Sequence, residues 1–229
     1  MLQGVIDKSP APRLYQALRL PSRGVLITAL CVLLALAVTA AWAHNRAAIP
    51  NLGNPHHLQR SGLYTDWAKG SVIVVLRHAE RCDRSRGACL ADPTGITVAG
   101  SQVATDVGRG LQRLGLGAAD VWTSPEVRTR QTAQAMFGKT IATQGWLNQC
   151  DGHFAENAFA HKRSSHNLVL VSHSGCMDQM EQVLEVPGSA RSNRYASALF
   201  VTLGSDGKAK LLGQMDANEW RKLVDAKEL

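Results

Sequence analysis

Two apolar runs rich in valine limit what this chain can become: residues 72–76 and residues 168–172. Each is short, and neither has the alternation that would leave one face wet. Runs of this kind suit strands covered on both faces, as in a parallel sheet sandwiched between helices. The intervening sequence supplies the helices. Thr97 caps a helical pattern reaching about residue 114, with Val98, Val103, Val107, Leu111 and Leu114 along one side. A short strand follows at 120–123, and Ser124-Pro125 offers a cap and a first-turn proline for a helix to about 137. Ser174 begins a helix to about 184, strands at 198–203 and 209–212 flank a Ser205-Asp206-Gly207 turn, and 216–226 reads as a closing helix. The alternation predicts an α/β domain of three layers with a mostly parallel central sheet.

With 229 residues, the chain has room for one such domain and a leader. Residues 24–43 are apolar and uncharged, Lys8, Arg13, Arg19 and Arg23 precede them, and Ala41-Trp42-Ala43 closes the run. This is the layout of a secretory signal cut after Ala43. The run is also about 20 residues long, enough to span a bilayer as an uncleaved anchor in the inner membrane. Both readings export the rest of the chain, to be soluble in the periplasm or tethered there. Residues 44–70, with His44, His56 and His57, read as a linker ending in a short helix near 64–69, and 71–229 as the domain.

The net charge is +7, of which +4 falls in residues 44–229. That excess suits anionic substrates, but no dense basic stripe appears and aromatics are only 5%, which argues against a nucleic-acid partner. Cys31 lies in the apolar run. Cys82, Cys89, Cys150 and Cys176 lie in the exported part, where an even number suits two disulfides. Of three pairings, closeness within a glycine-containing loop favours Cys82–Cys89, leaving Cys150–Cys176. Zinc is the rival reading, weakened by the lack of ligand spacing, and no metal is assigned.

The chemistry gathers where strands end. Residues 72–76 run into Arg77-His78-Ala79-Glu80-Arg81 and then a polar loop of about 18 residues. Residues 168–172 run into His173, and 120–123 into Ser124 and then Arg128. Ligands of open α/β sheets collect beyond the carboxyl ends of strands. Two imidazoles and several guanidinium groups converging there suit phosphoryl transfer. A neutral ring nitrogen attacks phosphorus, and permanently charged planar forks hold the other oxygens. Arginines in that role need no metal.

These segments resemble the histidine phosphatase superfamily, which includes the phosphoglycerate mutases. Arg77-His78-Ala79 matches its Arg-His-Gly signature. Residues 124–133, from Ser124-Pro125 through Arg128 to Gln131-Thr132-Ala133, look like its second block. Val171-Ser172-His173-Ser174-Gly175 looks like its third, and Ile96-Thr97-Val98-Ala99-Gly100 like the start of its first helix. The resemblance spans residues 72–203. It implies a phosphoglycerate mutase-like fold, no cofactor, His78 as the phosphorylated nucleophile, and a phosphate pocket of Arg77, Arg128 and His173. Arg81 matches a further arginine of the acid-phosphatase branch.

The leader, the segment 77–85 and the extra cysteines resemble, more narrowly, phosphatases of lipopolysaccharide core heptose phosphate. The implied partner is a phosphorylated small molecule or glycolipid. Ala79 and Ser174 replace family glycines. Gln149 or Ser174 stands where each branch has its acid, so Glu80, Asp83, Asp151 and Glu156 become candidate proton donors, Glu80 first. A weak acid would leave a phosphate-recognising binding module as the alternative function. Arg84 and Arg86 read as solvated charges able to grip a second anionic group.

Overall fold

The computed structural model describes residues 22–220. The chain forms two units, Met1–Arg46 and Ala47–Leu229. In the first, helix α1 (Arg23–Ala47) contains the stretch Arg23–Ala41, with mean hydropathy 2.5 and no buried side chains, long and apolar enough to cross a membrane. Lys8, Arg13 and Arg19 lie outside the described residues.

In the second unit, residues 47–70 differ from the expected linker. Helices α2 (Pro55–Ser61) and α3 (Leu63–Ala68) turn at Gly62, whose φ of +79° is the left-handed conformation that favours glycine. Leu52, Leu58, Leu63 and Trp67 are buried in the core. The indole of Trp67 donates to Gly115 O at 2.8 Å. Four large apolar side chains, invisible as a periodic pattern because the helices are so short, draw this segment in.

Among the described residues the five strands are β1 (Val72–Arg77), β2 (Ala119–Thr123), β3 (Asn167–Ser172), β4 (Ala198–Leu203) and β5 (Ala209–Met215), in the order β2-β3-β1-β4-β5. β1 pairs with β3 in parallel, and β3 with β2. β4 alone runs the other way, antiparallel to both β1 and β5. The remaining helices are α4 (Val98–Leu114), α5 (Val127–Phe137), α6 (Phe154–Ala160) and α7 (Ser174–Val183).

Successive strand residues point to opposite faces. Val72, Val74 and Leu76 therefore join the core shared with α4 and α5, while Ile73 and Val75 join the core shared with α6 and α7. All five are fully buried. Each such side chain contributes about 1.5–3 kcal/mol relative to exposure, so the sheet centre is a firm base for whatever its strand ends carry. Helices α4 and α5 approach closely at Gly108, where any side chain would run into the backbone of Met136.

Two boundaries differ from the sequence pattern. Helix α5 begins at Val127 with Glu126 as cap, not at Ser124-Pro125. Ser124 is occupied elsewhere: its carbonyl accepts from Thr129 Oγ1 at 2.8 Å, and its hydroxyl faces His173. The closing helix is seen at residues 217–220, where Trp220 is buried, and its remainder lies outside the described residues.

Candidate active site

The carboxyl ends of β1, β3 and β2 place His78, His173 and Ser124 side by side. His78 follows β1, its backbone N–H donating to Ser172 O at 2.9 Å. The residue is 4% exposed, and Nδ1 of its ring lies 2.8 Å from Ala79 O. A carbonyl can only accept, so Nδ1 carries the proton and Nε2 presents a lone pair. Burial, with the charges of Arg128 and Arg77 adding to it, lowers the ring's pKa to about 3. The imidazole is thus neutral across physiological pH.

His173 caps α7 and is 8% exposed. Its ring centroid stands 5.5 Å from that of His78, the planes inclined at 67°. Arg128 Nη2 approaches Nδ1 at 3.4 Å, and Nε2 lies 3.0 Å from Ser124 Oγ. Since arginine only donates, Nδ1 accepts and Nε2–H points at the serine hydroxyl. Burial, followed by the Arg128 charge, lowers this pKa to about 4.

The two expected pocket arginines are held by different partners. Arg77 Nη1 donates to Asn193 O at 2.5 Å, and its guanidinium carbon lies 3.9 Å from the centre of the Tyr195 ring. That geometry is a cation–π contact. The Tyr195 ring also lies 5.7 Å from His78. Arg128 Nη1 donates to Glu126 Oε2 at 3.0 Å. Both arginines bury an Nε that lacks a partner among the described residues. Arg81 is at the rim, ion-paired with Asp83, and its charge reaches both Arg77 and His173.

The rest of the second block fixes this frame. Thr132 Oγ1 accepts from Ala79 N–H at 2.9 Å, holding the backbone beside the His78 ring. Gln131 Oε1 accepts from Ile96 N–H at 2.8 Å, and Ala133 is buried in the core. The four other cysteines form Cys82–Cys89, in the loop after β1, and Cys150–Cys176, which ties the segment before α6 to α7.

Glu80 has no hydrogen bond to either imidazole among the described residues, and lies instead beside Tyr195. Its Oε2 accepts from Thr97 Oγ1 at 2.8 Å, and it lines a groove of about 350 Å³ with Tyr195, Arg194, Asp216 and Asn218. Asp151 caps the turn before α6 through His153 N–H, and Glu156 pairs with His153 on the surface. The sequence reading missed Glu126, Asn193 and Tyr195. Glu126 sits in the second block itself. Asn193 and Tyr195 precede β4, and only the antiparallel placement of β4 beside β1 brings them to the pocket.

No family model matches the chain. The chain is 33% identical over 156 residues to the lipopolysaccharide core heptose(II)-phosphate phosphatase of Shigella flexneri serotype 5b (strain 8401), covering 67% of this chain and 74% of that protein. The protein of that name from Escherichia coli O139:H28 is 32% identical over the same shares. Among solved structures, the protein histidine phosphatase SixA complexed with tungstate superposes with a TM-score of 0.52 at 17% identity, over 64% of this chain and 97% of that one. Phosphoserine phosphatase from Entamoeba histolytica in complex with 3-phosphoglyceric acid also gives 0.52, at 13% identity, over 65% and 98%. These two likenesses concern the fold. The sequence relatives lead to one statement: the chain belongs to the family of the lipopolysaccharide core heptose(II)-phosphate phosphatases.

Proposed function

We propose that this chain is a phosphomonoesterase that works through a phosphohistidine on His78. Its substrate is a phosphorylated sugar of the cell envelope, such as a heptose phosphate of the lipopolysaccharide core. The observation that carries this reading is the pair of neutral imidazoles with ring centroids 5.5 Å apart, Arg128 against His173 and Arg77 on the Tyr195 ring beside His78. Rings this close can both reach one phosphate lying beside them at hydrogen-bond distances of about 3 Å. The named relatives support the substrate class. The apolar helix α1 and the two disulfides support exposure to the periplasm, either anchored or released.

In this mechanism Arg77 and Arg128 take the non-bridging oxygens and carry the charge, so the reaction is metal-independent. The arriving dianion offsets the arginine repulsion at His173 and favours its protonated, donating form. His78 Nε2 attacks phosphorus as the bond to the leaving oxygen breaks. Its Nδ1–H stays on Ala79 O and stabilises the charge that develops on the ring. Glu80, at the groove beside Tyr195, gives its proton to the leaving oxygen. Water then attacks phosphorus, returning a proton to Glu80, and inorganic phosphate leaves with His78 restored.

The test is phosphate release from an aryl phosphate by the full chain in detergent. Turnover should be lost in His78→Ala. Equal rates in the two proteins would end the proposal.

A further inference from the structure

The sheet sets the main chain of Arg77, whose N–H donates to Ser197 O at 3.0 Å. Its guanidinium sits at the end of a long side chain and is held by two residues of the segment before β4. Asn193 O accepts from Nη1 at 2.5 Å, and the Tyr195 ring centre lies 3.9 Å from the guanidinium carbon. Residues 191–197 form neither helix nor strand, so no ladder of backbone hydrogen bonds fixes Asn193.

The tie comes instead from α7. Glu181, fully buried on that helix, accepts from Asn193 Nδ2 at 3.0 Å. The same Nδ2 donates to Ser174 O at 3.4 Å, in the first turn of α7 next to His173. Arg191, two residues earlier, donates to Asp178 of the same helix at 3.1 Å. The other buried positions of α7, Cys176, Met177 and Met180, are apolar. A carboxyl in that company is costly to bury and calls for a reason. Its partner supplies one. The Asn193 side chain is bound to α7, which His173 caps, while the Asn193 backbone is bound to Arg77. One residue therefore joins the two sides of the pocket, and Glu181 holds that residue from within the core.

We infer that Glu181 is a positioning residue: through Asn193 it fixes the Arg77 guanidinium relative to His173, so that both meet the same phosphate. The inference rests on the proposed function, which makes Arg77 a partner of the phosphate oxygens. It adds to that reading a residue that touches no substrate and acts through the seat of one that does. Groups that orient a binding residue in this way hold it in place before the ligand arrives.

Calorimetry with inorganic phosphate, on the full chain in detergent, reads the effect. Glu181→Met, which keeps the bulk and removes the acceptor, should weaken phosphate binding about tenfold, the equivalent of about 1.4 kcal/mol. Glu181→Gln retains an acceptor for Asn193 Nδ2 and should bind within about twofold of the parent. Asn193→Ala, at a half-buried position, should match Glu181→Met and gives the same reading if that variant fails to fold. In an Arg77→Gln background, Glu181→Met should cost no more than about twofold, because the two changes break one chain of contacts. A role confined to packing would alter thermal stability and leave phosphate affinity unchanged in Glu181→Met and Asn193→Ala. That result would overturn the inference, and so would a full tenfold loss that persists without Arg77. Phosphate release by the unsubstituted chain with flat affinities would sink the inference alone. The expected affinity pattern without any release would sink the phosphatase reading alone, and a parent chain that binds no phosphate would sink both.

Discussion

His78 and His173 occupy equivalent places on neighbouring parallel strands: Arg77 pairs in register with Ser172, and the next residue on each strand turns its ring into one shared space, centroids 5.5 Å apart. The strand register therefore sets the distance between the two rings. A slip of one residue would send one ring to the other face of the sheet.

The first prediction separates the two rings by role. Rapidly quenched protein, analysed by mass spectrometry after mixing with an aryl phosphate, should carry a phosphoryl group on His78. His173→Ala should still form that adduct, with kcat lowered by about 10²–10³, the loss typical of removing one charge-stabilising group. An adduct mapped to His173 would reverse the assignment.

The second concerns acid stability. The folded rings have pKa values of about 3 for His78 and about 4 for His173. Unfolded histidine takes its proton near about 6.5. Between these values the unfolded chain binds protons that the folded chain does not, so stability falls as pH drops from about 6.5 toward 4. Thermal unfolding across that window should show the fall, His78→Asn should flatten it, and saturating inorganic phosphate should restore part of it. Parallel curves for the parent and His78→Asn would contradict the burial argument.

A third prediction tests Glu80 as proton donor. An acid matters most when the leaving oxygen is a poor leaving group. Glu80→Gln should lower kcat by about 10²–10⁴ on a sugar phosphate and by much less on a nitrophenyl phosphate. Glu126→Gln, which removes the carboxylate held by Arg128, should act on both substrates alike. Equal sensitivity of Glu80→Gln to both leaving groups would remove Glu80 from the acid role.

The fourth concerns Glu181, fully buried in α7. Its Oε2 accepts from Asn193 Nδ2 at 3.0 Å, while Oε1 and Asn193 Oδ1 lack partners among the described residues. Burial pushes its carboxyl above the usual range. The folded state thus holds this proton more tightly than the unfolded state, and the associated stability is lost as pH rises through the folded value. Glu181→Gln should abolish that decline and stabilise the chain at neutral pH by about 1 kcal/mol. Urea unfolding on either side of neutrality checks both statements.

Much of the fold was legible because it rests on local pattern. Strands β1 and β3 are continuous apolar runs, and α4 carries both a cap and a periodic face. Arg77, His78 and His173 were legible for a related reason, since each lies at or just beyond the end of a buried strand. What escaped the sequence depends on pairing between distant segments. Nothing local marks Tyr195 or Asn193 as neighbours of Arg77, because they reach it only through the antiparallel docking of β4. The packing of 47–70 was hidden by helices too short for a period to emerge. Ser124 looked like a helix cap because its residue type favours that role, yet its hydroxyl faces His173.

The backbone carbonyl that seats Arg77 belongs to a residue 116 positions further along the chain. A nascent polypeptide halted before β4 would already contain both histidines but not the segment that locks the guanidinium in place. The seat of this guanidinium therefore depends on the segment that leads into the inverted strand beside β1.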